Sequence, residues 1–465
     1  MLKHTVTLLL LVLAASAQEK DALTILDPCD DTLAWKTFHS AGVTVSDESD
    51  RGIEGGAIRF DVEFTKGSGY GGVTRNFNVA LPEDYEITFV MRATVPVNNF
   101  EFKVSNDSAG EDIWWVNKRN FEYPTQWKRI VIKKRHLSFA WGPRPAPKPD
   151  ALKRMELVVT AGKGGKGSVW IDDLRLIPLE PPPRTVPVPV VSASSNRRAS
   201  SSVFTLDSSE KGDWKSSGGV DQWIECDYRY RREFGAVRLD WANAMRGLDY
   251  DILCSDDGRT FDTTYAVRDG KGGSVILFTP ESEARFIRLA MHRNGGAKPF
   301  RLHRVELISS DSLSTPNQYF ETLAAVSKPG WYPRYFSKQA SYWTVVGVAS
   351  DKKEALINED GAIEIDKQCL SLEPFVRDHD GRLLSWANAK EEQGLTDGYL
   401  PIPTVTRIYD GCSLSMTCVA DGKPDSSYLL VRYTLRNVSP SPNTGSFYIA
   451  LRPFQVNPTY QWLNT

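Results

Sequence analysis

Short runs of alternating apolar and polar residues, broken by glycine, proline, asparagine and aspartate, constrain the fold of this chain more than any other feature. Examples are AIRFDVEF from Ala57, YEITFVMRA from Tyr85 and WKRIVIKK from Trp127. A period of two with many Val, Ile, Phe, Tyr and Trp residues is typical of strands that bury one face. No segment keeps a helical period beyond about three turns. The pattern predicts an all-β chain of sandwich type.

The N-terminus has the pattern of an export signal. Lys3 precedes an apolar run, Val6 to Ala15, and small residues follow up to Ala17. The run is too short to span a bilayer, and polar residues begin at Gln18. We expect a signal peptide over residues 1–17 and a secreted protein, extracellular or periplasmic. No later stretch is apolar enough for a transmembrane segment.

Length limits the number of domains, and net charge limits the classes of partner. A chain of 465 residues has room for about three domains, and its 41% apolar fraction is ample for packed cores. The formal net charge of −2 creates no field that would attract nucleic acid or an anionic membrane. We therefore expect neither partner, and the sequence leaves the oligomeric state unknown.

Cysteine and histidine usage offers no metal centre. None of the six cysteines has the close double spacing of a zinc site, and the six histidines are scattered. Two pairs, Cys226 with Cys254 and Cys412 with Cys418, could form disulfides in an oxidising compartment. Buried free thiols are the equal alternative.

Two composition changes divide the chain. The segment from Pro178 to Val191, PLEPPPRTVPVPVV, has five prolines in its first ten residues, which exclude ladder pairing and favour an extended spacer. A weaker boundary lies at Ser309 to Asn317, SSDSLSTPN. We expect a β-sandwich over 22–180, a linker over 181–191, a second sandwich over 192–310 and a third β-rich domain over 318–465.

The first sandwich contains DPCDDTLAW, GAIRFDVEF, QWKRIVIKK and the closing strand GSVWIDDLRLIPL. These motifs resemble the jelly-roll carbohydrate-binding modules of the galactose-binding-like superfamily, over nearly the whole domain. The family often holds a structural calcium ion between acids of its first and closing strands, which the resemblance maps to Asp30 and Asp172. A hard cation needs several oxygen ligands, and these carboxylates could supply two. The alternative is that both acids cap turns or face solvent.

Sugar-binding modules use aromatic platforms, because the CH face of a pyranose stacks on an aromatic ring while polar neighbours bind its hydroxyls. The alternative for each aromatic candidate is core or rim packing. Trp127 opens an alternating strand and is expected in the core. The carbohydrate-binding candidates in this sandwich are Trp114, Trp115, Tyr123, Trp141 and Arg119.

The second sandwich contains VSASSNRRASSSVFTLDSSEKGDWKS, DQWIECDYRYRREFGAVRLDW, YDILCSDDGRTF, ARFIRLAMHR and FRLHRVELI. In this order the blocks resemble a factor V/VIII type C domain, also called a discoidin domain, over about 120 residues. The resemblance implies calcium ligands at Asp207 and Glu306, although LDSS from Leu206 departs from the usual Asp-Gly-Asn run. Trp214 and Trp223 match core positions of the family.

Ligand identity does not follow from a discoidin fold, because the binding loops vary widely. Arg246, His292 and Arg293 are the candidates for sugar contacts in this domain. Strand alternation predicts that Val237 and Leu239 face the core while Arg238 faces away from it.

The third segment, with YWTVVGV, SYLLVRYTLRNV and SFYIALRPFQVNP, resembles the β-supersandwich that precedes an (α/α) toroid in secreted bacterial glycoside hydrolases. The resemblance implies an incomplete β-supersandwich whose catalytic domain lies outside this chain. Glycosidases need two carboxyl groups about 5–10 Å apart. The pairs Glu359 with Asp360 and Asp378 with Asp380 lie in Gly-containing turn sequences, where acids are expected for turn formation. No catalytic residue is therefore recognised, and enzyme activity stays open.

Together these patterns predict the fold class as all-β, with two jelly-roll or galactose-binding-like β-sandwiches and a partial β-supersandwich. The predicted function is that of a secreted carbohydrate-binding region of a multi-domain glycoside-hydrolase-like protein, with a poly- or oligosaccharide as partner. One alternative is a non-enzymatic extracellular adhesion protein. A second is a terminal β-domain that is itself active on glycans.

Overall fold

A computed structural model describes residues 24–204, 212–294, 299–351, 353–366, 369–424 and 426–458. The expected signal peptide lies outside these ranges. Strands hold 55% of the described residues, which confirms the all-β prediction. The chain divides into two compact units between Arg184 and Thr185, inside the proline-rich segment. In the described part of the chain, no helix is long and apolar enough to cross a membrane.

The first unit is a sandwich of two antiparallel sheets. One sheet has the order β3-β4-β12-β6-β9, with β1 paired to β12, and the other has the order β10-β8-β7-β11-β5-β2. A short 3-10 helix, Lys134–His136, precedes β10. The strands are β1 Thr24–Asp27, β2 Lys36–His39, β3 Val43–Arg51, β4 Gly56–Phe64, β5 Tyr70–Ala80, β6 Tyr85–Ala93, β7 Asn98–Ser105, β8 Ile113–Phe121, β9 Lys128–Lys133, β10 Ser138–Trp141, β11 Ala151–Thr160 and β12 Gly165–Pro178.

One face of each sheet fills a single core in this unit. On β7, Phe100, Phe102 and Val104 are at most 1% exposed and belong to that core. On β11, Leu157 and Val159 also belong to this core. Because side chains alternate along a strand, the residues between them point away from the core and form a second surface.

The strands of the second sandwich are joined into one continuous antiparallel sheet of order β14-β19-β15-β18-β16-β17, with β13 paired to β15. The pairing register of its long strands β15 and β18 shifts between Asp227 and Arg232. The two strands therefore pair in one stretch before the shift and in another stretch after it. A one-turn helix α1, Arg197–Ser200, and a 3-10 helix, Asn243–Met245, lie in its loops. The strands are β13 Val190–Ala193, β14 Trp214–Lys215, β15 Gln222–Trp241, β16 Gly247–Ser255, β17 Asp262–Val267, β18 Ser274–Asn294 and β19 Arg301–Ser309.

The core of this sandwich contains Val237 and Leu239 but not Arg238, which confirms the predicted alternation of β15. Trp214 is fully buried, as expected. Trp223 is only half-buried, so the expected core position is wrong. The Arg288 guanidinium lies 5.0 Å from its ring, on the outer surface of the sheet.

Helix α2, Pro316–Val326, joins the second sandwich to the terminal region. The ring of Tyr319 stacks on Phe278 at 5.1 Å, on the sandwich side. The next residue, Phe320, meets Phe454 edge-on at 4.7 Å, on the terminal side. The boundary expected near 309–317 therefore leads into a packed helix that belongs to both parts of the second unit.

The terminal region has one sheet of order β20-β21-β22-β23-β24 with β29 paired to β23, and another of order β25-β26-β27-β28. Three 3-10 helices lie at Arg334–Ser337, Trp386–Asn388 and Thr396–Gly398. The strands are β20 Trp343–Val346, β21 Ala355–Asn358, β22 Ile363–Glu364, β23 Ser371–Arg377, β24 Leu383–Leu384, β25 Lys390–Leu395, β26 Pro403–Ile408, β27 Cys412–Lys423, β28 Ser426–Asn437 and β29 Ser446–Arg452.

All six cysteines are free thiols, so the disulfide alternative is wrong. Cys226 and Cys254 both pair with Ile287, from the two strands on either side of it. Two strand spacings, about 9–10 Å, exceed the roughly 7 Å between Cα atoms that a disulfide tolerates. Cys412 and Cys418 lie six positions apart on one extended strand, β27, which keeps them too far apart for a disulfide.

Reduction should therefore leave the stability of the protein unchanged. Burial raises the pKa of the Cys29, Cys226 and Cys418 thiols to about 12, so they should be unreactive in the folded state. We expect thermal unfolding midpoints with and without dithiothreitol to agree within about 1 °C, because a native disulfide contributes about 2–4 kcal/mol. A midpoint several degrees lower after reduction would show that at least one pair is oxidised.

Candidate functional site

The outer face of the sheet β10-β8-β7-β11-β5-β2 carries aromatic and charged side chains at neighbouring positions. On β7, Glu101 and Lys103 alternate with the core residues. Register pairs Lys103 with Trp115 on β8 and with Glu156 on β11. These side chains share one face of the sheet, which we call the binding face.

Aromatic rings stand at both ends of the binding face. Trp115 and Trp141 meet edge to face at 5.5 Å between ring centroids, and Trp141 is 46% exposed. On the β2–β5 side, Phe38 and Tyr70 lie 6.4 Å apart, and Tyr70 is 45% exposed. The Lys103 ammonium lies between the two ends, 5.3 Å from the Trp141 ring and 6.0 Å from the Tyr70 ring.

Ion pairs fix the floor between these rings. The Lys103 ammonium is 2.9 Å from a Glu101 oxygen, and the Arg154 Nε donates to Glu156 at 2.9 Å. The Thr160 hydroxyl donates to the other Glu101 oxygen at 2.9 Å. Glu101, Lys103 and Glu156 are each below 10% exposed, yet two acids match two bases, so the floor carries no net charge.

One acceptor on the binding face has no partner. The Asn117 Oδ1 atom, next to Trp115 on the same face of β8, is buried and accepts no hydrogen bond from the described residues. A ligand hydroxyl is the kind of donor that would satisfy it. The face thus combines flat apolar rings with rigid polar groups, the chemistry that suits a neutral saccharide.

The structure separates the sequence candidates by strand alternation. Trp115 and Trp141 lie on the binding face, and alternation places Arg119 there too, at the exposed end of β8. Trp114 is wrong as a sugar platform: it is 1% exposed in the core, and its indole donates to the Ala146 carbonyl at 2.8 Å. Tyr123 is wrong for the same reason, at 8% exposed.

Sequence reasoning missed Phe38, Tyr70 and the charged floor. The signal was present in EFKVS and RMELV, where acids and bases interrupt apolar runs at every second residue. Trp127 is half-buried and lies just before β9 of the opposite sheet, with the Arg92 guanidinium 5.1 Å from its ring, so it is outside the core.

The candidates of the second sandwich are engaged with acids of the same sheet. Arg293 donates to Asp249 at 2.6 Å and also binds Asp269, and these bonds raise the pKa of its guanidinium and lower that of Asp249. His292 is 3.0 Å from an Asp251 oxygen. The third candidate, Arg246, packs against Gly272 in the loop that precedes β18. The structure therefore gives His292 and Arg293 internal partners, and their sugar contacts stay a prediction.

The two acids expected to hold calcium in the first unit enclose the loop 52–56. Asp30 accepts from the Gly56 backbone N–H and Asp172 from the Ile53 N–H, each at 2.8 Å. A side chain at Gly55 would meet Asp30, because an added Cβ would lie 2.5 Å from its Oδ1. Burial is the main cause that raises the pKa of Asp172, and the nearby Asp30 charge adds to it. A bound cation would offset the unfavourable burial of the Asp172 charge. The two acids could therefore supply part of the ligand set of a cation.

Other metal candidates are less favourable. Asp207 lies outside the described residues, and Glu306 is bound by Arg238 at 3.5 Å and Arg304 at 3.3 Å. Among the residues that the structure describes, no group of three or more His, Cys, Asp and Glu side chains could hold a metal ion.

The acid pairs of the terminal region are in turns, as expected, but one of them is buried. Glu359 and Asp360 are 6% and 1% exposed, and Arg334 binds both together with Glu391. Burial raises the pKa of Glu391 to about 8. Since one guanidinium holds all three carboxylates, the geometry is that of a structural network, and a catalytic role in this region stays a prediction. The Asp378 carboxylate binds Arg382 in its own hairpin turn at 2.8 Å.

The fold defines the chain as a multi-domain β-sandwich protein. Residues 190–305 match the F5/8 type C domain family, so the second sandwich is an F5/8 type C domain. Comparison with curated proteins found no significant match.

Several solved carbohydrate-binding modules resemble parts of the chain. The family 11 module of the Clostridium thermocellum cellulase Lic26A-Cel5E is 17% identical, with 34% of this chain and 95% of that chain covered and a TM-score of 0.28. Chitosan-binding module 2 of the Paenibacillus sp. IK-5 chitosanase/glucanase is 21% identical, with 26% and 97% covered and a TM-score of 0.24. The module CpGH89CBM32-5 of Clostridium perfringens is 14% identical, with 26% and 95% covered and a TM-score of 0.23.

A buried acid on β23 should make the terminal region lose stability at neutral pH. Burial raises the pKa of Glu373 from 4.5 to about 7, although Arg452 lies 3.3 Å away. Because the folded pKa is raised, the favourable contribution is complete below pH 4.5 and is lost as the pH rises towards 7. A rise from 4.5 to about 7 corresponds to a total loss of about 3–4 kcal/mol, at about 1.4 kcal/mol per pKa unit.

Urea unfolding at about pH 5 and about pH 7.5 measures this loss, since both values lie in the range where stability follows proton uptake. We expect Glu373→Gln to reduce this difference by about 2 kcal/mol without abolishing it, because Glu391, whose pKa burial raises to about 8, loses its proton over the same pH range. Glu392→Gln, at an exposed position, should keep it. Equal pH dependence in all three proteins would contradict the assignment.

Proposed function

We propose that this chain is a secreted glycan-binding region and that the binding face of the first sandwich is its main saccharide site. The observation that supports it most is the pairing of two half-exposed aromatic ends, Trp115 with Trp141 and Phe38 with Tyr70, across one rigid polar floor. Flat rings at both ends suit an oligosaccharide that lies along the sheet, with CH faces on the rings and hydroxyls towards the floor.

The charges of the floor favour a neutral glycan over an acidic one. Lys103 is held by Glu101, and Arg154 is held by Glu156, so neither base offers an uncompensated charge to a uronate. The carboxylate oxygens can instead accept hydrogen bonds from sugar hydroxyls. These groups are preorganised, since buried ion pairs fix their positions before the ligand arrives.

The F5/8 type C domain supplies a second surface in this proposal, with Arg246 just before β16 and with His292 and Arg293 near the end of β18. Two weak sites joined by the proline-rich segment would gain avidity on a polysaccharide if both engage at once. The same chain would then target a glycoside hydrolase domain to its substrate. Export by residues 1–17 would place the protein where such polysaccharides are found.

Removal of either aromatic end should weaken glycan binding. We expect Trp141→Ala and Tyr70→Ala to lower the affinity of the full chain for soluble neutral polysaccharides by about tenfold or more, as truncation of a central aromatic anchor does. Affinity electrophoresis in gels that contain β-glucan, galactan or polygalacturonate measures this. Polygalacturonate should retard the protein least.

Trp127→Ala is the matched control, since it removes a half-buried tryptophan next to β9, away from the binding face. It should leave the retention unchanged. If no polysaccharide retards the wild-type chain, or if Trp127→Ala weakens retention as much as Trp141→Ala, the binding face is not the glycan site.

We further propose that Asp30 and Asp172 hold a structural calcium ion beside the loop 52–56. The ion would neutralise the buried Asp172 carboxylate and so stabilise the first unit. We expect EGTA to lower the thermal unfolding midpoint by several degrees, since a ligand at about 100 times its dissociation constant adds about 2.7 kcal/mol. Asp172→Asn should abolish the response, and an unchanged wild-type midpoint in EGTA would refute the site.

A further inference from the structure

The sheet of the F5/8 type C domain carries buried apolar residues on its outer side as well as in its core. On β15, Ala236 alternates with the core residue Val237 and yet is fully buried. On β18, Ile276 also lies outside the core and is 6% exposed. Phe278 and Ile308 pack beside them in the same small cluster. We call Ala236, Ile276, Phe278 and Ile308 the outer patch.

The segment that follows β19 covers the outer patch. The Tyr319 ring of α2 stacks on Phe278, and the Tyr319 hydroxyl donates to the Ile276 carbonyl at 3.2 Å. Leu313, which precedes the helix, is 1% exposed and belongs to the same cluster. A Cβ atom at Gly235 would lie 1.3 Å from the Leu313 carbonyl oxygen, so only glycine allows this close approach. The segment is therefore closely fitted to this sheet.

Another side of α2 packs into a cluster of aromatic rings in the terminal region. Phe320 meets Phe454 edge-on and lies 6.0 Å from the Phe336 ring. Phe336 and Phe454 are 7% and 5% exposed, so both rings are buried in that region. Because neighbouring residues on a helix point in different directions, Tyr319 and Phe320 hold α2 against two different parts of the chain.

The start of α2 is fixed by its own caps. The Thr315 hydroxyl accepts from the Gln318 backbone N–H at 3.3 Å, and the Gln318 side chain accepts from the Thr315 N–H at 3.1 Å. Pro316 stands at the first helical position, where its fixed φ suits the start of a helix. The serine- and threonine-containing segment before the helix is therefore an ordered connection between the two parts.

We propose that residues 309–327 join the F5/8 type C domain and the terminal region into one cooperative folding unit. The F5/8 type C domain then supports the fold of the terminal region, and a ligand on its loops keeps a fixed orientation to that region. The proposal is independent of glycan binding, since it depends only on the packing of α2. It predicts that the two parts unfold together.

Hydrogen exchange of the full chain, measured by mass spectrometry across a series of urea concentrations, tests the proposal. Peptides from β15 and from β27 should lose protection at the same urea concentration, because one cooperative unit unfolds in a single transition. Peptides from β11 report the unfolding of the first unit in the same samples.

Substitutions in α2 test whether the helix carries the coupling. Phe320→Ala removes the ring that packs into the terminal region, so the β15 and β27 midpoints should separate by about 0.5 M urea or more. Glu321→Ala is the matched control, because this side chain is exposed on the same helix, and it should leave the midpoints together. Tyr319→Phe keeps the ring that stacks on Phe278 and should also leave them together.

Three outcomes would overturn the proposal. The first is a wild-type chain in which β15 and β27 lose protection at different urea concentrations, because the two parts would then fold independently. The second is a Phe320→Ala variant in which both midpoints stay together, which would mean that α2 does not carry the coupling. The third is a separation in Glu321→Ala as large as that in Phe320→Ala.

Discussion

Each strand of this protein has two faces, and the need to fill a hydrophobic core with one of them determines what the other can do. In the first unit, Phe100, Phe102 and Val104 fill the core from β7. The intervening Glu101 and Lys103 must therefore point outwards, where ion pairs with their neighbours hold them. The binding face is thus a consequence of the packing that folds the sheet.

The same constraint explains which residues could be predicted from the sequence. Alternation correctly identified strands and the two faces of β15, since burial of one face is encoded in the residues themselves. It also decides between Trp114 and Trp115, because adjacent residues point to opposite faces. The sequence alone did not show which face was the core, so both were candidates.

Contacts between distant strands could not be read from the sequence. Tyr70 meets Lys103 only because β5 and β7 flank β11 in the sheet order, which local patterns do not specify. Arg334 gathers Glu359, Asp360 and Glu391 from separate elements in the same way. The acids looked like ordinary turn residues because their turn chemistry is local, whereas their burial depends on the fold around them.

The site on the first unit can be tested by the indole resonances of the tryptophans. Addition of a neutral oligosaccharide to the full chain should shift the Trp115 and Trp141 indole N–H signals, assigned by single Trp→Phe variants. The Trp114 and Trp214 signals, from buried indoles, should stay in place. Shifts confined to the F5/8 type C domain would contradict the account, because the binding face would then not contact the ligand.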